Sequence, residues 1–474
     1  MVTELFDAKE MSRSLNAKLL SYSKNSIISS VSIDSRSVKD GGIFFALSGS
    51  VTDGHCYVNM AFSSGARAAV VEASKLESYK LDDIAREAGK DLIVVENTLK
   101  SLQDSARIYL EKFPSLLKIG ITGSSGKTTT KEIASAIISC ERNTVKNEGN
   151  LNSETGLPLS VFEVRKHHEV GIFELGMNRP GEISEIAGVL KPNIALVTNI
   201  GSAHIEYFGS KEKIVSEKKC IYSYLENDGV ALIPESDEYA EYLADNVKAR
   251  IKYFSEKKFN ELESARSLGL EGTEIMWAGE KIRFSLPGRH CFDDALAAIA
   301  IAKEVPVSNN AIKQGLESVK PLFGRLEILY GFTTVIRDCY NANPESSARA
   351  VDFCDSLEWP SRKIYVIADM LELGENSASE HEKLGFLLSV SSAKKVFLFG
   401  NEIIKAARFL EENGKPFYQT SDINEMSRAL ESYINKGDLV LLKGSRGCAL
   451  ERLGGMLLKT KADGGDVRGG ENVS

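Results

Sequence analysis

A glycine-rich segment that runs into a lysine and three threonines has the residue types and spacing of a phosphate-binding loop. It reads TGSSGKTTT over residues 122–130. Backbone N–H groups at the start of a helix are free to surround a phosphate, and glycine lets the backbone approach it closely. The lysine would contact the terminal phosphates, and the first threonine hydroxyl after it would bind Mg²⁺. We therefore expect a nucleotide to be bound by Gly123, Ser124, Ser125, Gly126, Lys127, Thr128 and Thr129.

The segment departs from the strict phosphate-loop pattern at one position, where Ile121 stands in place of a glycine. An ordinary Gly/Ser turn that carries a solvated lysine is therefore the alternative interpretation. However, an apolar run at 119–121 precedes the turn, and a helix-forming segment at 128–138 follows it. Because a phosphate loop needs this order of strand, loop and helix, we favour nucleotide binding.

Two polar side chains follow other apolar runs of the same part of the chain. Glu174 ends the run VGIFE, and His204 follows ALVTNIGSA. Mg²⁺ prefers oxygen ligands, so Glu174 suits a magnesium site. A helix N-cap neighbour or a surface charge is the less favoured alternative, because the preceding run is so apolar. His204 could complete the ligand shell of a second metal, or it could be a hydrogen-bonded histidine in a loop. The spacing alone does not choose between these two roles for His204.

When each is considered alone, a structural role is favoured for one further candidate, Lys218, and is as well supported as a functional role for two others, Arg325 and Asp338. Lys218 lies in a predicted helix at 211–225 that is rich in Lys and Glu, and this composition favours a solvated lysine. Arg325 carries a planar fork of donors that could bind a transferring phosphoryl group. Asp338 follows a predicted strand and could accept hydrogen bonds from ribose hydroxyls.

The composition is that of a soluble protein with more than one domain. The chain has 474 residues, of which 43% are hydrophobic and 26% charged, and two to four domains suit this length. A net charge of -8 argues against nucleic acid or an anionic membrane as the main partner. The seven cysteines are spaced singly, which favours neither a disulfide framework nor a zinc site. No apolar run approaches the ~20 residues of a membrane span, so we expect an intracellular protein.

Short apolar runs alternate with helix-forming segments along most of the chain, as in proteins built on doubly wound parallel sheets. A Pro and a Gly between positions 320 and 324 interrupt this alternation, and a second alternating set follows them. The last residues are rich in Gly and Asp and offer little to bury. We predict an α/β protein with domains at 1–100, 101–321 and 322–460 and a disordered tail at 461–474.

Seven motifs distributed along the chain carry a resemblance to a known family. They are TGSSGKTTTKE from Thr122, GNLNSETGLPLS from Gly149, ELGMNRPGEI from Glu174, NIGSAHIEYFGS from Asn199, FGRLEIL from Phe323, DCYNANPESS from Asp338 and DMLELGENSASEH from Asp369. Together they resemble the Mur ligases, ATP-dependent enzymes that form amide bonds in bacterial cell-wall synthesis. The resemblance extends from residue 34 to about residue 457. It is closest to the members that add D-alanyl-D-alanine to UDP-N-acetylmuramoyl-tripeptide, since the DNPR-type motif of the ligase that adds a diamino acid or lysine is replaced by ANPE.

The resemblance implies a fold, a reaction and partners. Its domains would be an N-terminal UDP-binding domain, a central ATPase with a mostly parallel sheet and a C-terminal Rossmann-like domain. The terminal carboxylate of the peptide would attack the γ-phosphate of ATP to give an acyl phosphate, and the amine of D-alanyl-D-alanine would then displace phosphate. We expect a cytoplasmic monomer that uses ATP and two Mg²⁺ ions and binds no nucleic acid.

The resemblance also implies roles for individual residues. The catalytic and metal-binding set would hold the phosphates and two metal ions. Lys218 would be carbamylated and so gain oxygen donors, and this role replaces the interpretation of Lys218 as a solvated lysine. This set comprises Lys127, Thr128, Glu174, His204, Lys218 and Arg325. Asp338 would bind the ribose. Ser35 and Arg36 would belong to the uridine nucleotide site, and Asn152 and Glu154 would face the muramoyl peptide.

One motif differs from the family's usual pattern. The adenine-contacting segment H-N-x-x-N-A is here His290-Cys-Phe-Asp-Asp294-Ala. Asparagine both donates and accepts hydrogen bonds, whereas an ionised aspartate only accepts. We expect Asp294 to accept a hydrogen bond from the adenine amino group.

Two other functions remain as alternatives. The first is a related ligase that adds a single amino acid, for example of the folylpolyglutamate type, although the N-terminal segment around Asp34, Ser35 and Arg36 argues against it. The second is a nucleotide-binding regulatory protein without catalysis. That function predicts loss of the phosphate- and metal-binding residues, yet all of them are present.

Overall fold

The computed structural model describes residues 4–49 and 51–459, and the predicted disordered tail at 461–474 lies outside them. Five sheets are formed within these ranges, and the three largest are wholly or mainly parallel. The predicted α/β class is therefore confirmed. None of the helices in the described ranges is long and apolar enough to span a membrane.

The N-terminal part of the chain forms a five-stranded sheet and a two-stranded one. Its strands are β1 (Phe6–Asp7), β2 (Lys18–Leu20), β3 (Ile27–Ile28), β4 (Val31–Ser32), β5 (Ile43–Phe45), β6 (Ala68–Glu72) and β7 (Asp91–Val95), and its helices are α1 (Ala8–Ser14), α2 (Val58–Ser63), α3 (Leu81–Ala88) and α4 (Thr98–Leu110). The larger sheet has the order β2-β7-β6-β5-β4, in which only β2 runs antiparallel to its neighbour. β1 and β3 form the two-stranded antiparallel sheet.

The central part is built on a parallel sheet of six strands. These are β8 (Leu117–Thr122), β9 (Thr144–Lys146), β10 (Val170–Glu174), β11 (Ile194–Val197), β12 (Val230–Pro234) and β13 (Arg250–Phe254), in the order β13-β12-β11-β8-β10-β9. The helices of this part are α5 (Lys127–Ile138), α6 (Gly156–Val161), α7 (Glu182–Leu190), α8 (Ile205–Phe208), α9 (Lys211–Lys219), α10 (Ala240–Ala244), α11 (Arg289–Ala302) and α12 (Asn309–Ser318). Because β8 lies inside the sheet, its carboxyl end and the glycine loop after it have neighbouring strand ends on both sides.

The central sheet is covered on both faces, which explains its continuous apolar strands. Ile119 and Ile172 pack into a core that also contains residues of α5 and α11. Phe173 and Val197 point to the opposite face, into a second core that includes residues of α7. The strands are therefore fixed by burial on two sides, and the polar side chains that follow them project from a rigid edge.

Two elements of the central part differ from the sequence-based expectation. The predicted helix at 211–225 is α9 followed by a tighter 3₁₀ segment, Cys220–Tyr224, which buries Ile221 and Tyr222. Such tightening is common where a helix ends. A three-stranded antiparallel sheet of β14 (Leu262–Ser267), β15 (Thr273–Trp277) and β16 (Glu280–Phe284) was not predicted. The exposure of most side chains of β14 leaves it without the apolar pattern of a buried strand.

The C-terminal part contains a second six-stranded sheet. Its strands are β17 (Glu327–Tyr330), β18 (Thr334–Asp338), β19 (Lys363–Ala368), β20 (Lys395–Phe399), β21 (Phe417–Thr420) and β22 (Leu439–Lys443), in the order β17-β18-β22-β19-β20-β21. Only the edge strand β17 is antiparallel to its neighbour. The helices are α13 (Pro344–Ser356), α14 (Ser377–Val390), α15 (Ala407–Glu412), α16 (Ile423–Tyr433) and α17 (Gly454–Leu458).

Candidate active site

A cavity of about 520 Å³ lies where the glycine loop and the ends of the central strands face α11 and the C-terminal sheet. Most of the residues predicted from the sequence line this cavity. They are Ser124, Ser125, Gly126, Lys127, Thr128, Thr129, Asn152, Glu174, His204, Asp294, Arg325 and Asp338. The predicted residues that do not line it are Ser35, Arg36, Gly123, Glu154 and Lys218.

The glycine loop between β8 and α5 has a backbone that other residues could not easily adopt. Gly123 has a φ of 150° and Gly126 a φ of 79°. A Cβ added to Gly123 would lie 1.8 Å from Thr198 Oγ1, and one added to Gly126 would lie 2.0 Å from Asp294 Oδ1. Among the described residues, no side chain caps the N-terminus of α5. The Ser124 and Ser125 amides donate to Asn199, so it is the uncapped start of α5 that offers N–H groups to an anion.

Two lysines converge on the carbonyl oxygen of Gly123. Lys127 Nζ donates to it at 2.8 Å and Lys218 Nζ at 3.0 Å. Lys218 is only 1% exposed, so the solvated-lysine interpretation that its neighbours favoured is wrong. Burial lowers the pKa of Lys218 well below its ordinary value, and the nearby Lys127 lowers it further. This shift favours the neutral amine, which is the nucleophilic form of lysine.

Glu174 at the end of β10 has its carboxylate held between two donors. Its Oε2 accepts a hydrogen bond from Thr128 Oγ1 at 2.8 Å, and its Oε1 accepts one from Asn152 Nδ2 at 2.8 Å. Arg325 Nη2 donates to the same Thr128 oxygen at 3.0 Å, from the start of the C-terminal part of the chain. Glu174 is 3% exposed, so it is not a surface charge.

The oxygen ligands beside the glycine loop are too few to hold a metal by themselves, but they suit a Mg²⁺ ion that also binds a nucleotide. Mg²⁺ in nucleotide sites takes one or two protein oxygens and completes its shell with water and phosphate oxygens. Thr128 and Glu174 supply one hydroxyl and one carboxylate at adjacent positions. Across residues 4–49 and 51–459, no group of three or more His, Cys, Asp and Glu side chains is arranged to hold a metal. The residues therefore fit a magnesium ion that is shared with a nucleotide.

His204 reaches the cavity from a strained loop and contacts the C-terminal part of the chain. Its φ is 67°, a left-handed conformation that is uncommon for a residue with a side chain. Its Nδ1 lies 2.7 Å from Glu372 Oε2, and the Glu206 amide donates to the Glu372 carbonyl oxygen at 3.2 Å. Burial lowers the pKa of His204, although the Glu372 carboxylate opposes this shift. His204 is therefore positioned by a residue that the sequence did not identify.

Asp338 ends β18 with both carboxylate oxygens near donors. Its Oδ2 lies 2.9 Å from Lys443 Nζ, and its Oδ1 accepts a hydrogen bond from the Leu326 amide at 3.3 Å. Lys443 is almost fully buried at the end of β22, the strand beside β18. Close by, the Arg325 guanidinium lies 4.2 Å from the ring centroid of Tyr340, which fixes the plane of its fork.

Asp294 on α11 is a buried carboxyl group at the wall of the cavity, next to Gly126. Burial raises its pKa well above the ordinary value, and the neighbouring Asp293 carboxylate raises it further. This shift favours the protonated form, which donates as well as accepts hydrogen bonds. The expectation that this residue only accepts is thus revised by its surroundings. One helical turn before it, burial lowers the pKa of His290 to about 4.

Three predicted substrate contacts lie away from the cavity. Ser35 is buried and its hydroxyl donates to Met60 Sδ at 3.3 Å. Arg36 is exposed and pairs with Asp34 at 2.7 Å, which lowers the pKa of that aspartate to about 2. Glu154 is turned toward Arg179, with which it forms an ion pair. None of the three lines the cavity, because Ser35 and Arg36 lie in the turn after β4 of the N-terminal part and Glu154 pairs with Arg179 instead.

The C-terminal part adds contacts to the glycine loop and its neighbours that the sequence analysis missed. Glu345 Oε1 accepts hydrogen bonds from Ser202 Oγ at 2.7 Å and from the Ser202 amide at 3.0 Å. Arg349 Nη1 donates to Ser125 Oγ at 3.4 Å. Glu345 lies in the motif DCYNANPESS, directly after a proline and among polar residues. This local sequence does not indicate that its carboxylate has a hydrogen-bonding partner elsewhere in the chain. Such contacts depend on segments that are far apart in the chain.

Comparison with known proteins gives consistent matches over almost the whole chain. Residues 27–109 match the Mur ligase family catalytic domain, 121–302 the Mur ligase middle domain and 324–446 the Mur ligase glutamate ligase domain. The UDP-N-acetylmuramoyl-tripeptide–D-alanyl-D-alanine ligase of Treponema pallidum (strain Nichols) is 40% identical over 433 residues, which cover 91% of this chain and 94% of that protein.

Solved structures show the same fold. MurF from Acinetobacter baumannii (crystal structure I) has a TM-score of 0.85 at 27% identity, and the match covers 96% of this chain and 98% of that one. MurF ligase from Thermotoga maritima in complex with ADP has a TM-score of 0.76 at 28% identity, covering 90% of this chain and 96% of that one. The sequence matches and the structural matches therefore both extend from the N-terminal sheet to the C-terminal sheet.

Proposed function

The chain belongs to the Mur ligase family, and from this premise we propose that it is an ATP-dependent ligase that joins D-alanyl-D-alanine to UDP-N-acetylmuramoyl-tripeptide. The proposal rests on the similarity to the Treponema pallidum ligase that is named for this activity, which is 40% identical over 91% of the chain. The geometry of the cavity supports it, because a glycine loop, a magnesium-type donor pair and an arginine meet at Thr128. ADP bound to a solved relative supports nucleotide binding in the same fold.

We propose that the reaction proceeds through an acyl phosphate. An oxygen of the tripeptide's terminal carboxylate attacks the γ-phosphorus of ATP, and the bond from that phosphorus to the bridging oxygen breaks to release ADP. The amine of D-alanyl-D-alanine then attacks the acyl carbon, phosphate leaves with the oxygen that formed the new bond, and the amine loses a proton. The first step makes a poor electrophile reactive, so the protein's task is to position the reactants and neutralise charge.

The residues of the cavity divide this task. The N–H groups at the start of α5 and the ammonium of Lys127 hold the phosphates, once Lys127 exchanges the Gly123 carbonyl oxygen for a phosphate oxygen. Arg325, stacked on Tyr340, presents its fork at the outermost phosphate. Asp338 binds the ribose, and protonated Asp294 recognises the adenine by donating and accepting hydrogen bonds.

We further propose two metal sites. Thr128 and Glu174 hold the first Mg²⁺, which supplies charge neutralisation for the transferring phosphoryl group when it is bound. His204 and carbamylated Lys218 belong to the second. The neutral amine of Lys218 adds CO₂ and releases one proton, which converts a group that cannot ligate Mg²⁺ into one with two oxygen donors.

The remaining assignments follow the same premise. We propose a UDP-binding domain at 1–100 that uses Ser35 and Arg36, a central ATPase at 101–321 and a C-terminal ligase domain at 322–460. Asn152 and Glu154 face the muramoyl peptide, and for Glu154 this requires release from Arg179. We also propose that the protein acts in the cytoplasm as a monomer.

The proposal is tested by offering the purified protein ATP, Mg²⁺ and UDP-N-acetylmuramoyl-tripeptide with D-alanyl-D-alanine, D-alanine, L-lysine or L-glutamate in parallel. We expect ADP and a peptide lengthened by two residues only with the dipeptide, as resolved by mass. Product formed only with a single amino acid would show that the chain is a related ligase with another acceptor. Absence of product with every amine, despite ATP binding, would favour the non-catalytic alternative.

A matched pair of lysine variants connects the activity to the loop. Lys127→Ala should abolish ADP formation because it removes the phosphate-binding ammonium. Lys213→Ala, an exposed lysine on α9, should leave ADP formation unchanged. Full activity of Lys127→Ala would contradict the assigned role of the loop.

A further inference from the structure

The last hydrogen-bonded position beside β10 is filled by a side chain. β9 ends at Lys146, which pairs with Ile172 of β10. Beyond that point the amide of Asn147 continues the ladder. Its Oδ1 accepts from the Glu174 backbone N–H at 2.9 Å, and its Nδ2 donates to the Glu174 carbonyl oxygen at 3.0 Å. Asn147 is fully buried, so the backbone of Glu174 is fixed on this side by one amide group.

The same amide shapes the loop that holds the Glu174 carboxylate. Asn147 Nδ2 also donates to the Leu151 carbonyl oxygen at 2.8 Å, which closes the loop at 148–151. The loop ends at Asn152, whose side chain donates to Glu174 Oε1 at 2.8 Å. The Asn152 carbonyl oxygen in turn accepts from the Gly176 amide at 2.8 Å. Asn147 therefore governs both the backbone of Glu174 and one of the two donors to its carboxylate.

A buried lysine joins this arrangement to the phosphate-loop helix. Lys131 lies on α5, three residues after Thr128, and is fully buried. Its Nζ donates to the Asn147 carbonyl oxygen at 2.6 Å and lies 3.2 Å from Glu132 Oε1. Burial of an ammonium group is costly even when it is paired, and apolar packing often stabilises a fold as well. A lysine at this position is thus poorly explained by stability alone.

We propose that Lys131 and Asn147 are positioning residues that set the distance between the Thr128 hydroxyl and the Glu174 carboxylate for metal binding. Neither residue lines the cavity, so both act through the groups that they hold. Lys131 fixes α5, which carries Thr128, against the Asn147 backbone, and the Asn147 amide fixes Glu174. The inference rests on the proposed function only in taking Thr128 and Glu174 as the ligands of Mg²⁺.

The test measures metal binding directly. Mn²⁺ serves as the probe, and its affinity is determined by EPR in the presence of saturating β,γ-imido-ATP. Lys131→Met keeps the length of the side chain and removes its donor, and Asn147→Asp keeps its shape and replaces Nδ2 by an acceptor that faces two carbonyl oxygens. We expect both variants to bind Mn²⁺ about 10- to 100-fold more weakly, as when a partner of a metal ligand is lost. Affinity for the imido nucleotide without metal should stay within about twofold, since the glycine loop is unchanged.

Lys146→Met is the matched control. Lys146 pairs with Glu132, the same carboxylate that lies near Lys131, but makes no hydrogen bond to Asn147 within the described residues. We expect native Mn²⁺ affinity for this control. Thermal melting without ligands identifies variants that fail to fold, and the conclusion is then drawn from the variant that does fold.

Three outcomes would overturn the inference. Native Mn²⁺ affinity in a folded Lys131→Met or Asn147→Asp variant would show that the replaced residue supports the fold but does not affect metal binding. An equal loss in Lys146→Met would show a nonspecific charge effect. Failure of the native protein to bind Mn²⁺ with the nucleotide would contradict the assignment of Thr128 and Glu174 as metal ligands. By contrast, normal metal binding without ligation of the dipeptide would contradict the proposed function and leave this inference standing.

Discussion

Replacement of Glu174 by Gln changes the charge at the assigned magnesium site while keeping the shape of the side chain. In the native protein, Thr128 Oγ1 and Asn152 Nδ2 each donate to this carboxylate at 2.8 Å. The glutamine retains one carbonyl oxygen, so one of the two donors keeps an acceptor and the Thr128 hydroxyl can rotate toward another. The variant should therefore fold with the same loop structure.

The effects of this change on stability should nearly cancel. A hydrogen bond to a charged group contributes about 1.5–3 kcal/mol and a neutral one about 0.5–1.5 kcal/mol, so one weakened bond and one lost bond together cost roughly 2.5–4.5 kcal/mol. Against this, the variant no longer buries a negative charge, whose desolvation costs several kcal/mol. We expect the free energy of unfolding to change by no more than about 1 kcal/mol, as measured by denaturant titration.

The effect on catalysis should be much larger. Loss of one preorganised electrostatic group at a reacting centre typically lowers kcat by about 10²–10³, or roughly 2.7–4 kcal/mol. We expect a decrease of this size in the rate of ADP formation and a higher Mg²⁺ concentration at half-maximal rate. Glu185→Gln is the control, because Glu185 pairs with Arg179 on the surface at 2.6 Å. A folded Glu174→Gln variant with the native rate and native Mg²⁺ dependence would refute the assignment of Glu174.

The other predictions concern Arg325 and Asp294, which line the cavity, and the buried Lys218. Arg325→Ala removes the donor to Thr128, so kcat for ADP formation should fall about 10²–10³-fold. Arg446→Ala is the control, because the Arg446 guanidinium lies 5.9 Å from the Tyr340 ring on which Arg325 stacks, and it should change kcat less than about threefold. Equal effects of the two substitutions would contradict the phosphoryl role of Arg325. Asp294→Asn should stabilise the nucleotide-free protein at neutral pH, because the raised pKa of Asp294 means that the folded state holds a proton which the unfolded state releases above about 3.8. The stabilisation should disappear as the pH falls below that value, and a pH-independent difference in unfolding free energy would show that the carboxyl group is not desolvated. Depletion of CO₂ should lower the ligation rate and bicarbonate should restore it if Lys218 is carbamylated; an unchanged rate together with an unmodified Lys218 in native mass spectra would exclude that modification.

The parts of the fold that were predicted best are those determined by local pattern and burial. The apolar runs at 119–121 and VGIFE lie in the buried strands β8 and β10, both inside the parallel central sheet. The glycine loop was predicted from its residue types and spacing together with the strand-like and helix-forming segments on either side of it. By contrast, β14 exposes most of its side chains and is held by pairing with β15, which no local signal reveals.

The site was predicted where chemistry requires a particular residue type and missed where it depends on contacts between distant segments. Composition around Lys218 indicated solvent, but α9 turns this residue inward against Gly123. Glu372 and Glu345 approach the central strands from the C-terminal part, and only the tertiary structure brings them there. Lys131 was overlooked because a lysine in an exposed-looking run of threonines is usually solvated, whereas here it is fully buried.

The central claim is that the γ-phosphoryl group of ATP is transferred to a carboxylate before the amide bond forms. It is tested most directly with UDP-N-acetylmuramoyl-tripeptide labelled with ¹⁸O in its terminal carboxylate. When the protein ligates D-alanyl-D-alanine, one labelled oxygen should appear in each inorganic phosphate released, because the oxygen that attacks phosphorus leaves with it. Phosphate without label, formed together with the lengthened peptide, would contradict the acyl-phosphate route and with it the roles given to Lys127 and Arg325.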